Sequence, residues 1–114
     1  MDVHEVELIR RALEETRETL RTEDSTARDA ARPVALDQSS VGRLSRMDAM
    51  QGQAMAIESR RRRQVQLTRV DAALRRIETG AYGRCHGCDA DIDPRRLAVD
   101  PTVTLCIGCA SSQT

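Results

Sequence analysis

Apolar residues recur at steps of three and four along the first part of the chain: Val6, Ile9, Leu13, Leu20, Ala27 and Ala30, with Thr16 in step. That spacing puts them on one helical face and predicts a helix from about residue 5 to residue 31. Glu5, Glu7, Glu14, Glu15 and Glu18 gather towards its start, where the helix dipole is positive. Pro33 disfavours helical geometry in the residue before it, so the helix should stop near Arg32. A second seam runs through Leu44, Met47, Met50, Ala54, Ile57, Leu67, Val70, Leu74 and Ile77, predicting a helix over about 41–79 with Gly80 as its C-terminal cap. Gly42 and Gly52 each weaken it by roughly 1 kcal/mol relative to Ala. Residues 32–40 read as the connection, with Ser39 or Ser40 as N-cap.

Two long amphipathic helices joined by a short loop should fold back as an antiparallel coiled-coil hairpin. A turn near residues 36–38 pairs Val6 with Leu67 and Val70, Leu20 with Met55, and Ala30 with Leu44. In that register Glu14, Glu15 and Glu18 face or flank the run Arg60, Arg61, Arg62 and Arg63. Successive helical residues point about 100° apart, so four consecutive arginines cannot form one patch. The run is expected as a salt-bridged helix face, each exposed pair contributing up to about 1 kcal/mol. Met47, Met50 and Met55 are expected to fill the seam.

Composition sharpens the class. Tyr82 is the one aromatic residue, and 32% of the chain is charged. A globular core usually leans on aromatic side chains, so a thin-seamed, mainly α protein is expected. The 18 basic residues, all Arg, balance 18 acidic ones. Duplex-DNA binders carry a basic excess, which argues against direct sequence-specific DNA contact. No apolar run reaches membrane-spanning length, and the acidic start is no signal peptide, so a cytoplasmic protein without membrane contact is expected.

All four cysteines lie after Gly80, making residues 80–114 a module separate from the hairpin of residues 1–79. Cys85 and Cys88 form one C-x-x-C pair, and Cys106 and Cys109 form another. This is zinc-finger spacing, and a four-sulfur site leaves no open position for catalysis, so one structural Zn2+ is expected. Gly87 and Gly108 are expected to supply unusual backbone conformations in the knuckles. Arg84, Arg95 and Arg96 are candidates to offset the thiolate charge, and His4 and His86 should face solvent. Asp93-Pro94 reads as the start of a short helical turn, and "TVTLC" as a small strand. No nucleophile–base pair, phosphate loop or open metal site points to an enzyme.

The stretch "TGAYGRCHGCDADIDPRRLAVDPTVTLCIGC" resembles the finger of the bacterial DksA/TraR family, through Tyr82-Gly83, Arg95-Arg96-Leu97, Pro101 and Leu105-Cys106-Ile107. The resemblance implies a non-catalytic transcription regulator that binds RNA polymerase and inserts its coiled-coil tip into the secondary channel. It also implies the alarmone ppGpp as an effector at that interface. Of the family's tip motif Asp-x-x-Asp-x-Ala, only Asp37 matches, with Val34 and Ser39 at the other two positions. The candidate tip residues are Asp37, Gln38, Ser39, Ser40, Arg43, Arg46 and Asp48. Two alternatives stand beside this reading: a nucleic-acid-binding finger using Arg60–Arg63, Arg95 and Arg96, and a thiol-based stress sensor.

Overall fold

The computed structural model describes residues 1–30 and 43–112. Two long helices come first, α1 (Val3–Ala30) and α2 (Arg43–Thr79), followed by two short ones, α3 (Pro94–Val99) and α4 (Ile107–Ser112). Asp2 caps α1, its carboxylate accepting the Glu5 N–H at 2.8 Å. Gly80 ends α2 at φ 78°, with Gly80 N–H bonded to Ile77 O at 3.3 Å and Ala81 N–H to Arg76 O at 2.9 Å. That pair of bonds is a Schellman cap.

The chain divides into two compact units. The first comprises Met1–Glu18 and Thr68–Thr114. In it Leu13, Val70, Ala73 and Leu74 are buried, and Arg17 pairs with Asp71 at 3.5 Å, so the two long helices lie side by side. The second unit is Thr19–Leu67. Among its described residues Leu20 and Asp24 are buried, and Asp24 of α1 meets Arg60 at 3.7 Å and Arg63 at 3.5 Å from α2. The antiparallel hairpin is therefore present, but its register differs from the expected one.

Position 24, expected opposite Met50, sits instead beside Arg60, Arg63 and Gln64. The slip is about twelve residues, close to two heptads, so apolar positions still meet apolar positions. Three corrections follow from it. Leu20 no longer faces Met55, and Val6 lines a cavity with Ile77, Tyr82 and Ile92 rather than packing on Leu67. Met47, Met50 and Ile57 are 60%, 69% and 65% exposed, and Met55 is likewise exposed, because in this register they lie beyond the stretch of α2 that the described residues of α1 face. The arginine run is ion-paired, but not to Glu14, Glu15 and Glu18. Arg60 and Arg63 take Asp24, while Arg61 and Arg62 take Glu58 on their own helix at 2.8 and 3.3 Å. The Arg61 hydrogen bond leads in holding the Glu58 carboxyl down at about 2. Thr16, expected in the seam, is exposed and donates its hydroxyl to Ala12 O of its own helix at 2.9 Å.

Candidate metal centre

The finger is built on a small apolar nucleus. Cys85, Ile92 and Leu97 are buried, with Tyr82, Val103, Leu105, Cys106 and Cys109 packed against them. Asp93 caps α3, its carboxylate accepting the Arg95 N–H at 2.9 Å, and Pro94 follows at the first helical position. The hydroxyl of Tyr82 donates to Pro101 O at 2.7 Å, bracing the start of the finger against the turn after α3. Arg96 Nε donates to Leu105 O at 3.0 Å and holds α3 to the approach of the second cysteine pair. The segment 102–106, expected as a strand, is not one. Asp100 Oδ1 takes the Thr102 N–H at 3.0 Å and its hydroxyl at 2.7 Å, making a turn, and Thr104 O accepts a single bond from His86 N–H at 2.8 Å. Its β-branched composition finds no ladder to join, and strand preference depends on such neighbours.

The two cysteine pairs converge. The sulfurs of Cys85, Cys88, Cys106 and Cys109 lie within 4.8 Å of one another, and those of Cys88 and Cys106 are 3.7 Å apart. Zinc–sulfur bonds of about 2.3 Å in a tetrahedron place sulfurs about 3.8 Å apart, so the donor set fits one zinc ion. Backbone N–H groups already point at the sulfurs. Gly87 N–H and Cys106 N–H each donate to Cys85 Sγ at 3.3 Å, and Cys109 N–H to Cys106 Sγ at 3.4 Å. Cys85 thus receives one donor from each half of the finger.

Those donors, led by Cys106 N–H, draw the Cys85 thiol down to about 6. The hydrogen bonds of the neighbouring sulfurs, first that of Cys85, push Cys109 up to about 12. At Cys88 the Ala90 N–H pulls downward, but the sulfurs of Cys85 and Cys106 outweigh it and raise the thiol. Four crowded thiols ionise unequally when left to themselves, whereas a dication among them favours the thiolate at each.

The glycines act differently from expectation. Neither Gly87 nor Gly108 has positive φ; in this region Gly83 (86°) and Asp89 (61°) do. Gly87 is needed for space, because a Cβ there would come within 2.9 Å of Cys109 Sγ. The arginines expected to offset the thiolates have other partners: Arg84 faces Asp89 at 3.9 Å, Arg95 pairs with Asp93 at 2.9 Å, and Arg96 serves as the brace above. His4 and His86 are exposed.

Residues 80–114 match the family model described as the prokaryotic dksA/traR C4-type zinc finger. The full fold is similar to a solved structure of transcription factor DksA2 from Pseudomonas aeruginosa. The TM-score is 0.77 at 29% identity, covering 99% of this chain and 85% of that one. The finger of this chain therefore matches the dksA/traR C4 type, and the chain as a whole is similar to DksA2 in fold. The C4-type match of residues 80–114 and the four clustered sulfurs together support one structural Zn2+. The RNA polymerase-binding transcription factor DksA of Haemophilus influenzae is 32% identical over 56 residues, which are 49% of this chain and 39% of that protein. Its Caulobacter vibrioides counterpart is 35% identical over 54 residues, 47% of this chain and 38% of that protein. The chain therefore aligns with less than half the length of these curated relatives.

Of the tip candidates, Asp37, Gln38, Ser39 and Ser40 lie outside the described residues. Arg43 opens α2, and Arg46 and Asp48 are exposed on it. Among the described residues no helix is long and apolar enough to cross a membrane. Asp24 escaped the sequence reading. Its only signal is an acidic residue one helical step after Leu20, at a position where the seam calls for an apolar one.

Proposed function

We propose that this chain is a non-catalytic transcription regulator that binds RNA polymerase directly. The end of the α1–α2 hairpin enters the secondary channel, and the finger stays at its rim. The observation that carries this reading is a C4 finger joined to a long helical pair in a chain that matches the DksA2 structure over 99% of its length. Cys85, Cys88, Cys106 and Cys109 are the zinc ligands, and the contacts at the tip come from Asp37, Gln38, Ser39, Ser40, Arg43, Arg46 and Asp48. The protein works in the cytoplasm, where polymerase is, and ppGpp acts at the shared interface. Arg60 and Arg63 engaged by Asp24, and Arg61 and Arg62 by Glu58, speak against a nucleic-acid-binding face.

The test is a pulldown of core polymerase by the zinc-loaded protein at micromolar concentration. A stoichiometric complex, weakened by Asp37→Asn, is expected. No complex with either protein refutes the reading.

A further inference from the structure

We infer that Asp24, with Arg63 and Gln64 opposite it, selects the register of the helical hairpin. The apolar pattern alone does not select one. Leu13, Leu20 and Ala27 repeat every seven residues in α1, and Met47 with Ala54, Met50 with Ile57, and Leu67 with Leu74 do so in α2. Sliding one helix by nearly two heptads exchanges one apolar layer for another. Surface charge is equally permissive, since the slid alignment brings Glu14, Glu15 and Glu18 to the arginine run.

What the slid alignment cannot accommodate is the polar layer. It sets Asp24 against Met50, and Arg63 and Gln64 against Arg11 and Arg10. There Asp24 loses both arginines of α2 and keeps only Arg28 of its own helix, a poorer compensation for a carboxylate removed from water. At the other end Arg63 faces the like charge of Arg11. In the structure every member of the layer has a partner of suitable charge. Asp24 Oδ1 is 3.7 Å from Arg60 Nε and 3.5 Å from Arg63 Nε. Its Oδ2 accepts from Gln64 Nε2 at 3.4 Å and lies 3.4 Å from Arg28 Nε.

The layer selects more than it stabilises. Asp24 and Arg63 side chains are 10% and 16% exposed, yet Asp24 Oδ1 and Arg63 Nε lack hydrogen-bond geometry to any partner. Buried ion pairs of this quality contribute little net stability, but an isolated polar layer in an apolar seam is an effective register mark. The register in turn decides which residues of α2 extend past α1, Met47 and Met50 among them.

The chain contains no lysine, so Arg17→Lys installs its sole side-chain amine, next to Asp71. A zero-length carbodiimide then reports the alignment by mass spectrometry. In the structural register the interhelical product joins position 17 to Asp71; in the slid register position 17 comes opposite Glu58. Arg17→Lys alone should give the Asp71 product. Adding Asp24→Leu and Arg63→Leu should keep the helical circular-dichroism signal and bring in the Glu58 product beside it. The Asp71 product alone from that variant overturns the inference. If the leucine pair loses its helical signal, Asp24→Asn takes its place with the same two readings, since it removes the charge and keeps the shape.

Discussion

Tyr82 concentrates several roles in one side chain. Burial leads in keeping its phenol neutral and pushes it from 10.0 up to about 12, while the hydroxyl holds Pro101 O at 2.7 Å. The folded value lies above the unfolded one, so this contribution to stability is complete below pH 10 and is lost as pH rises towards 12. Being the one aromatic residue, Tyr82 can be titrated by phenolate absorbance without interference from another; the midpoint should sit above the ordinary value for as long as the finger stays folded. Tyr82→Phe should cost about 1 kcal/mol in thermal or denaturant unfolding, the usual worth of such a hydrogen bond. Gly87 offers a second check at this scale. The Cβ of Gly87→Ala would meet Cys109 Sγ at 2.9 Å, so zinc should be lost to a competing chelator at a lower concentration than from the wild type. Equal retention would show that the second cysteine pair can move aside.

The elements divide into those that local pattern determines and those that need a partner. The end of α2 was readable because Gly80 must adopt φ 78°, which residues with a Cβ resist. Gly80→Ala should therefore lower stability by about 1–2 kcal/mol in a denaturant melt, with little change in helical content at the start of the titration. The beginning of α3 was equally readable, since Asp93 and Pro94 act within a few residues of each other. The segment "TVTLC" was not, because a strand exists only against another strand and none is offered among the described residues. The same distinction explains α2. Its periodic apolar residues promised a buried seam along its whole length, yet Met47, Met50 and Ile57 are exposed, since burial requires a facing partner and the described residues of α1 face α2 only further along.

For the molecule as a whole, a chain of 114 residues with a thin apolar seam has little core to spare, and the metal takes up part of the load. Chelation should expose the nucleus of Cys85, Ile92 and Leu97, read as fast thiol labelling and loss of hydrogen-exchange protection over residues 80–112. Acidification should do the same, because protonated thiols release zinc. Unchanged protection after complete metal removal would mean that the apolar nucleus suffices alone. The outline of all this is in the amino-acid sequence: two helices, a hairpin, and four cysteines spaced for one zinc, because helical periodicity and C-x-x-C spacing act over short distances along the chain. The alignment of α1 on α2, the exposed methionines and the closed fit of Gly87 against Cys109 were decided only by tertiary structure. Heptad repeats look alike after a slide of two repeats. Which layer meets which depends on where a single carboxylate, Asp24, finds its arginines across the hairpin.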